Sequence, residues 1–321
     1  MIVIYCYNHR LFIVIAAANK ITLIFIKNLK HKTIIGDKPM NSITIKCNAK
    51  INLSLDVTGV RPDGYHNVEL ILNEISLYDI LKVELNNDNI ITLTCDDKTL
   101  PTDSENIAYR AAELFFTETN LNFGADITLT KKIPHGAGLA GGSADAAGVL
   151  RALNTMTGSA LSDERLFKLA SKLGADVPFC LSGGCAFGEG IGDILTPLPA
   201  LKGFYYVIVK PDESISTAYV YKNLDLNNRP DNLNVRKAAE GIRRGDIQML
   251  IQNAGNIMES VTASKVPVIN DIKKSLYKSG AVLSLMSGSG TSVFGMFNDL
   301  TSARRASGSL AKVYKSVYLT L

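Results

Sequence analysis

The fold of this 321-residue chain is decided by the stretch Pro134-His135-Gly136-Ala137-Gly138-Leu139-Ala140-Gly141-Gly142-Ser143-Ala144-Asp145-Ala146-Ala147. Its glycines let backbone N–H groups come close to a ligand, and the alanine-rich run after Ser143 favours a helix. A helix that begins beside such a loop presents free N–H donors and the positive end of its dipole. The stretch therefore predicts an anion site, to which the Ser143 hydroxyl would add a contact with a phosphate or Mg²⁺.

The spacing of the loop also bears on other interpretations. Residues 136–141 match the G-x-G-x-x-G of dinucleotide-binding loops, and Asp163 and Glu164 follow about 20 residues later. In that fingerprint the acidic residue ends a second strand, whereas Asp163 and Glu164 begin a predicted helix. A Walker A loop requires a Lys after Gly142, and the H-R-D and D-F-G elements of protein kinases are absent. The remaining alternative is a tight turn without a ligand, which four glycines and a serine at a helix start disfavour.

Strand-like and helical patterns alternate outward from the loop without a strict strand–helix–strand period. Strands are expected at 43–57, 81–85, 90–95, 125–131, 184–188, 205–210, 281–286, 292–297 and 311–321. Helices are expected at 104–119 (capped by Ser104), 144–153, 163–173, 235–253, 268–279 and 301–310. This mixture predicts an α+β protein, and Pro197 and Pro199 indicate a boundary near residue 200 between domains 40–200 and 201–321.

Composition and charge exclude several classes of protein. With 46% hydrophobic and 20% charged residues, the chain can bury an ordinary globular core. Residues 1–39 carry six basic and one acidic side chain, so the net charge of +4 becomes −1 for residues 40–321 and gives no reason to expect nucleic acid. Five cysteines without a C-x-x-C pair predict neither a zinc motif nor a disulfide framework, and favour a reducing, cytoplasmic compartment.

Residues 1–39 differ in composition from the rest of the chain. Two apolar runs, 11–18 and 21–26, are separated by Asn19 and Lys20, and neither reaches the roughly 18 residues that span a bilayer. We expect translation to start at Met40, which leaves 1–39 outside the folded unit. A targeting segment and a structured extension are the alternatives.

Three polar side chains outside the glycine loop are candidates for chemistry. Lys50 and Asn52 stand two apart in a strand-like segment, so both lie on one face of the strand, where a cation and an amide suit a polar ligand. An edge strand with a solvated Lys is the alternative. Asp176 follows the predicted helix 163–173 among apolar neighbours, where it is either a cap or a functional carboxylate.

Two further segments are candidates for ligand binding. Tyr65 and His66 follow the turn at 61–64 and offer an aromatic face beside an imidazole, either for a nucleotide base or for packing. The run Ser287-Gly288-Ser289-Gly290-Thr291 lies between two predicted strands. It either brings backbone to a ligand or is a flexible hairpin loop.

Taken together and in this order, these segments resemble the motifs of the GHMP small-molecule kinase superfamily. Residues 49–53 and 58–66 resemble its first motif, the glycine loop its ATP-phosphate motif, 174–179 the segment that carries the catalytic Asp, and 287–291 its third motif. The resemblance covers about residues 43–320. It implies an N-terminal domain similar to domain 2 of ribosomal protein S5, a ferredoxin-like C-terminal domain, and a ligand cleft between them.

The ending Asp63-Gly64-Tyr65-His66 of the first motif resembles one branch of that superfamily. It implies ATP-dependent phosphorylation of the 2-hydroxyl of 4-diphosphocytidyl-2-C-methyl-D-erythritol, in the non-mevalonate route to isopentenyl diphosphate. By the same resemblance Asp176 takes the hydroxyl proton, while Lys50 keeps Asp176 ionised and stabilises the transferred group. Mg²⁺ would arrive with ATP, held mainly by phosphate oxygens and waters, and no protein metal ligand is expected.

The resemblance also assigns ligand-binding positions. Those for the ATP phosphates are Pro134, Gly136, Gly138, Leu139, Ala140, Gly141, Gly142, Ser143 and Ala144. Those for the cytidine substrate are Asn52, Tyr65, His66, Thr217, Tyr221, Ser287, Gly288 and Gly290. Ala140 and Ala144 depart from the family pattern, in which Gly and Ser are commoner, so Ser143 must carry any hydroxyl contact.

Three alternative functions are kept beside this one. A homoserine or mevalonate kinase is disfavoured by Tyr65 and His66, and a catalytically inactive ligand sensor by the presence of Lys50 and Asp176. An RNA-binding protein of S5-like fold is disfavoured by the charge of residues 40–321. We expect a small-molecule substrate, no nucleic-acid or membrane partner, and a monomer or homodimer.

Overall fold

The computed structural model describes residues 41–321 and, within the first 40 residues, three strands. These strands are β1 (Ile2–Tyr7), β2 (Arg10–Ala17) and β3 (Lys20–Ile26), and they pair antiparallel in the order β1-β2-β3. Residues 1–40 and 41–321 form separate compact units. The expected translation start at Met40 lies outside the described residues and stays a prediction.

A six-stranded sheet occupies the first part of the larger unit. Its strands are β4 (Ser42–Val60), β5 (His66–Asn86), β6 (Ile91–Cys95), β7 (Gly124–Thr130), β8 (Cys185–Glu189) and β9 (Ile194–Leu198). The long strand β5 pairs with β4 along one edge and with β7 and β8 along the other, in the order β6-β7-β5-β8-β9. All pairs are antiparallel except β6 and β7.

Strand β4 is buried on both faces over residues 49–57, which carry part of the site described below. Its apolar side chains alternate with Lys50, Asn52, Ser54 and Asp56, and all of these polar residues are buried as well. Bulges between β4 and β5 fall on either side of the Lys50–Asn52 segment. Lys50, Asn52 and Ser54 each have a hydrogen-bond partner. Asp56 Oδ1 lies 3.4 Å from Arg229 Nε.

Four helices lie in the first half of the larger unit. They are α1 (Ile107–Thr119), α2 (Gly141–Met156), α3 (Asp163–Leu173) and α4 (Val177–Ser182). Helix α2 packs closely on β4 and β5, because a Cβ at Gly148 would lie 2.5 Å from Cys47 Sγ and 2.8 Å from Leu81 Cδ2. Only glycine permits that approach, which fixes the height of α2 above the sheet.

The second part of the larger unit is built on a four-stranded antiparallel sheet. Its strands β10 (Tyr205–Lys210), β11 (Leu283–Met286), β12 (Val293–Phe297) and β13 (Ser316–Thr320) pair in the order β11-β12-β10-β13. Its helices are α5 (Thr217–Lys222), α6 (Val235–Arg244), α7 (Ile247–Asn253), α8 (Glu259–Lys265), α9 (Val268–Lys278) and α10 (Leu300–Leu310). One hydrophobic cluster runs from β4 into this sheet, and a second lies between α1, α2 and α3 and the strands β5, β6 and β7.

The observed elements confirm the α+β prediction and correct several boundaries. Helix α1 is capped by Asn106, whose side chain accepts from the Ala108 N–H at 2.9 Å, and Ser104 is not its cap. The strand expected at 81–85 is the end of the much longer β5. The helix expected at 235–253 is two helices, since Gly245 takes a left-handed conformation and Asp246 caps a new one.

No helix in the described part of the chain is long and apolar enough to cross a bilayer.

Candidate active site

The Lys50 ammonium lies at the centre of the candidate site. Lys50 is buried, and its Nζ donates to Asn52 Oδ1 at 2.8 Å and to the carbonyl oxygen of Gly138 at 3.1 Å. The same Nζ lies 3.6 Å from Asp176 Oδ2. The prediction that Lys50 and Asn52 share one face of β4 is confirmed, and a single ammonium joins β4, the glycine loop and Asp176.

Asp176 is positioned by the short helix α4, which the sequence pattern did not predict. Pro178 in its first turn is compatible with a helix start, where its missing N–H costs nothing. Asp176 stands at the N-cap, yet its carboxylate accepts no capping hydrogen bond from that helix. Its side chain is 39% exposed, whereas the side chain of Lys50 is 5% exposed. The carboxylate is therefore open to a substrate on one side and held by a cation on the other.

The glycine loop leads from β7 into α2, as predicted. Ala140 is the N-cap of α2 in a left-handed conformation, with φ of 57° and ψ of 32°, and it supplies no side-chain acceptor to the helix. The first-turn N–H groups of Gly141, Gly142 and Ser143 are therefore directed to whatever lies beyond the helix end. This is the geometry that binds phosphate at a helix N-terminus.

Gly138 is the point at which the loop meets the third predicted motif. A Cβ on Gly138 would lie 2.1 Å from the carbonyl oxygen of Ser287, and its φ of +74° also favours glycine. The Gly138 carbonyl oxygen accepts from Ser287 Oγ at 2.9 Å as well as from Lys50. Ser287 Oγ in turn accepts from the backbone N–H of Asn52 at 3.2 Å. The three motif segments are thus in direct contact.

The 287–291 loop is held in place by residues that the sequence did not single out. Asn256 is buried and its Nδ2 donates to the carbonyl oxygens of Met286 and Gly288, both at 2.8 Å. Thr262 Oγ1 donates to the carbonyl oxygen of Ser289 at 3.0 Å. In the sequence, Asn256 is visible only as a polar residue within an apolar stretch. That pattern does not predict its contact with Met286, which is 30 residues away.

Of the predicted substrate residues described next, His66, Tyr221 and Thr217 contact other predicted site residues, whereas Tyr65 is exposed. The His66 and Tyr221 rings stack with centroids 4.6 Å apart and planes tilted by 31°. Burial raises the pKa of Tyr221 to about 12, and the negative charge of Asp176 adds to this shift, so the phenol stays protonated near the candidate catalytic carboxylate. Thr217 Oγ1 lies 2.7 Å from Ser289 Oγ, whereas Tyr65 stands 62% exposed after the turn.

The remaining predicted phosphate-loop residues differ in what they can offer. Leu139 and Ala144 are buried core side chains, so their contribution to a ligand is limited to the backbone. Pro134 is half-buried and lies at the start of the loop, and Gly136 is exposed. Among the predicted substrate residues, Gly288 and Gly290 are buried within the third motif.

A pocket of about 460 Å³ adjoins the start of the glycine loop. Its lining consists of Asp96, Asp97, Lys131, Lys132, Ile133, Pro134, His135, Lys210, Pro211, Asp212, Ser214 and Ser316. Lys210 is buried and its Nζ donates to the carbonyl oxygens of Pro211 at 2.6 Å and Glu213 at 2.8 Å, while burial lowers its pKa. The volume is within the range of small-molecule sites.

No group of three or more His, Cys, Asp or Glu side chains within residues 41–321 has the arrangement of a metal site. The donors at the glycine loop are backbone N–H groups and an ammonium, which bind anions. This donor set fits the phosphate groups of a nucleotide.

Family models match both halves of the larger unit. The model for the GHMP kinases N terminal domain matches residues 106–184, and that for the GHMP kinases C terminal domain matches residues 238–316. The chain is 43% identical over 280 residues to 4-diphosphocytidyl-2-C-methyl-D-erythritol kinase of Alkaliphilus metalliredigens (strain QYMF), covering 87% of this chain and 96% of that protein. It is 44% identical over 272 residues to the protein of the same name from Clostridium novyi (strain NT), covering 85% and 97%.

Solved structures agree with these matches. A crystal structure of 4-(cytidine 5'-diphospho)-2C-methyl-D-erythritol kinase superposes with a TM-score of 0.72 at 32% identity, covering 87% of this chain and 98% of that one. A homoserine kinase from Cytophaga hutchinsonii ATCC 33406 has a TM-score of 0.73 at 21% identity, covering 92% and 97%, which shows a shared fold alone. The chain therefore belongs to the 4-diphosphocytidyl-2-C-methyl-D-erythritol kinase family of ATP-dependent GHMP kinases.

Proposed function

We propose that this chain transfers the γ-phosphoryl group of ATP to the 2-hydroxyl of 4-diphosphocytidyl-2-C-methyl-D-erythritol. The observation that carries the proposal is the position of Lys50 Nζ, which contacts the Gly138 carbonyl oxygen at 3.1 Å and lies 3.6 Å from Asp176 Oδ2. One ammonium thus stands between a phosphate-binding loop and a half-exposed carboxylate. Phosphoryl transfer depends mainly on positioning and charge stabilisation, and both are available here.

The two charged residues divide the work of the transfer. The acceptor is a tertiary alcohol, which is crowded and weakly acidic, so a positioned carboxylate helps to remove its proton. In this scheme Asp176 takes the hydroxyl proton as the substrate oxygen forms a bond to the γ-phosphorus. The bond from that phosphorus to the β–γ bridging oxygen breaks, and ADP leaves with the bonding electrons. Lys50 stabilises the negative charge on the transferred group.

The cytidine half of the substrate would bind along the wall formed by His66 and Tyr221. Both rings are flat faces suited to a base, and the negative charge of Asp176 contributes, after burial, to the raised pKa of the Tyr221 phenol. Tyr65, exposed beside it, would stack on the other side of the base. Asn52 and the 287–291 loop would orient the methylerythritol portion.

The ATP phosphates would bind at the first turn of α2, contacted by the backbone of 136–142 and by the Ser143 hydroxyl. The pocket beside Pro134 and His135 supports a place for the nucleoside, since it opens at the entry to this loop. Mg²⁺ would neutralise phosphate charge and be carried mainly by the nucleotide. The residues of this chain supply the donors that surround the phosphates.

The decisive experiment measures ADP release by the purified full chain with ATP and Mg²⁺. We expect turnover with 4-diphosphocytidyl-2-C-methyl-D-erythritol and none with mevalonate or homoserine, the acceptors of the alternative GHMP kinases. Turnover with either of those two would move the chain to another branch. Nucleotide binding without turnover of any acceptor would favour the ligand-sensor alternative.

We also propose that residues 1–39 are dispensable for this reaction and that the catalytic unit consists of domains 40–200 and 201–321. Residues 41–321 form a compact unit of their own, which supports the first statement, and the two distinct sheets within that unit support the second. The test compares the full chain with a chain that begins at Met40. Equal kcat and KM are expected, and a loss of turnover on removal of 1–39 would contradict the proposal.

A further inference from the structure

Three charged side chains are buried together behind the glycine loop. Lys131, which directly follows β7, donates its ammonium to Asp79 Oδ2 of β5 and, at 2.5 Å, to Asp145 Oδ2 of α2. The exposed fractions of the three side chains are 0% for Asp79, 8% for Lys131 and 4% for Asp145. We refer to Asp79, Lys131 and Asp145 as the buried triad. None of them belongs to the catalytic pair of Lys50 and Asp176.

The buried triad is attached to both ends of the phosphate loop. Asp79 Oδ1 accepts from the backbone N–H groups of Lys132 at 2.5 Å and Ile133 at 2.8 Å, the two residues that precede Pro134. Asp145 lies three residues after Gly142, near the start of α2. Lys131 therefore bridges the strand that enters the loop and the helix that leaves it, with Asp79 as the common anchor on β5.

The charge balance of the buried triad is unfavourable for stability alone. Two carboxylates face one ammonium, and Asp145 Oδ1 is buried without a hydrogen-bond partner among residues 41–321. Burial raises the pKa of Asp145 to about 7, Lys131 opposes that rise, and Asp79 adds to it. Replacing buried ion pairs by apolar residues of similar volume is often neutral or stabilising, so the arrangement calls for a role beyond packing.

We propose that Asp79, Lys131 and Asp145 are positioning residues that hold the 134–142 loop in the shape that receives the ATP phosphates. The inference rests on the proposed function, since it assigns these residues to the nucleotide half of the same site. Each acts through the backbone that it fixes. A loop whose two ends are tied to one strand has its N–H groups already oriented before the nucleotide arrives.

The first test is Asp79→Asn, measured as the Kd of ATP with Mg²⁺ by calorimetry and as KM for each substrate. An Asn offers one oxygen where Asp79 serves an ammonium and two N–H groups, so the loop loses part of its anchor. We expect the ATP Kd and KM to rise at least tenfold while the KM of the cytidine substrate stays within twofold. An ATP Kd within twofold of wild type would overturn the proposal.

A matched variant separates positioning from stability. Leu276→Ala in α9 removes a buried side chain that packs against Gly295 of the C-terminal sheet, and it lowers the melting temperature without touching the loop. We expect it to leave the ATP Kd unchanged at a temperature where the variant is folded. A comparable weakening of ATP binding by Leu276→Ala would show that Asp79→Asn acts through general destabilisation, which would also overturn the proposal.

The pair Asp145→Asn and Asp145→Ala keeps the test valid if Asp79→Asn does not fold. Asn retains an oxygen for the Lys131 ammonium, whereas Ala removes it. We expect Asp145→Asn to bind ATP within twofold of wild type and Asp145→Ala to bind it at least fivefold more weakly. Equal affinities of the two variants would overturn the proposal. These Kd values are measured without the cytidine substrate, so they remain informative if turnover of that substrate is not found.

Discussion

Asp176 stands at the N-cap of a helix and yet caps nothing. Its carboxylate lies toward Lys50 Nζ at 3.6 Å and accepts no hydrogen bond from α4, so its charge remains available to a substrate hydroxyl. An N-cap aspartate with an ordinary structural role looks different, as Asp246 shows by accepting from the Met249 N–H at 3.0 Å. The two residues offer a matched pair for separating function from stability.

Asp176→Asn is expected to lower kcat by about 10²–10⁴-fold, the range typical of a lost general base. The melting temperature should change little, because no capping bond is removed and the Asn amide oxygen still faces the Lys50 ammonium. Asp246→Ala should do the opposite, costing about 1 kcal/mol of stability with kcat unchanged. Steady-state ADP release and thermal unfolding of both variants check this. Near-normal turnover by Asp176→Asn would remove Asp176 from the proposed role.

Ala140 carries a strained backbone at the entrance to α2. A side chain with a Cβ in the left-handed region costs about 1–2 kcal/mol of folding free energy, which glycine avoids. Glycine also raises the entropy of the unfolded chain, which lowers stability by about 0.4–1 kcal/mol. Ala140→Gly should therefore stabilise the protein by about 0.5–1 kcal/mol. Ala137→Gly, at a buried loop position without a positive φ, should destabilise it instead. Thermal unfolding measures both, and a lower melting temperature for Ala140→Gly would contradict the strain argument.

At the scale of elements, sequence periodicity predicted those whose pattern is local. The alternation in β4 and the apolar run of β10 mark strands directly, and Ser162 and Gly174 bound α3 as expected. Most of β5 was missed. Polar residues such as Asn73 and Asp79 interrupt its alternation, and both are buried because they find partners, Glu74 for one and Lys131 for the other.

The same distinction explains how much of the site could be predicted. Lys50, Asp176 and the glycine loop stand in recognisable local motifs, and the structure brings them together. Asn256 and Thr262 hold the third motif through hydrogen bonds to backbone carbonyl oxygens. Because every residue has a backbone carbonyl, the sequence does not mark these partners. Nothing in the residues near 256 indicates that 286–289 will lie beside them, since tertiary pairing is not written in local propensity.

Helix α1 provides a direct test of one corrected boundary. Asn106 accepts from the Ala108 N–H at 2.9 Å and donates to the carbonyl oxygen of Pro101 at 2.8 Å, whereas Ser104 is exposed ahead of the helix. Asn106→Ala should cost about 1 kcal/mol, and Ser104→Ala should be within about 0.5 kcal/mol of wild type. Chemical denaturation of the two variants checks this. Equal losses would return the cap to Ser104.

The β4–β5 hairpin carries the proposed cytidine contacts at its tip. Its turn is fixed by the Arg61 N–H, which donates to the Tyr65 carbonyl oxygen at 2.7 Å, and by the Asp63 carboxylate, which accepts from the Tyr65 N–H at 3.1 Å. Tyr65→Ala should raise the KM of the cytidine substrate roughly tenfold, a stacking loss of about 1–2 kcal/mol, and Tyr65→Phe should not. Separate KM values for the two substrates decide the matter. A rise in the ATP KM instead would place Tyr65 outside the cytidine pocket.

At the scale of the whole molecule, Asp145 couples global stability to pH. Its pKa is about 7 in the folded chain, against an ordinary value of 3.8. Between pH 3.8 and about pH 7, the folded state therefore keeps a proton on Asp145 that the unfolded state has released. Stability from this group is therefore full below about pH 4 and is lost as pH rises through 7. The charged or ionisable groups that face Asp145 are Asp79, Lys131 and Cys47.

Thermal unfolding between pH 5 and 8 tests this coupling. Relative to Asp145→Asn, which cannot titrate, the wild-type melting temperature should fall by several degrees as pH rises across the interval. Comparing the two proteins at each pH cancels the contribution of every other group. A difference that does not change with pH would show that Asp145 is ionised throughout.

The contact of Gly138 with Ser287 has a consequence for how the protein is made. These residues are 149 positions apart, and the Asn52 N–H that also binds Ser287 is 235 positions from it. During synthesis the N-terminal sheet and α2 leave the ribosome long before Ser287 exists, so the Gly138 carbonyl and the Asn52 N–H wait for their partner. A nascent chain that has built its first domain therefore lacks a completed candidate active site, which forms only after Ser287 has been translated.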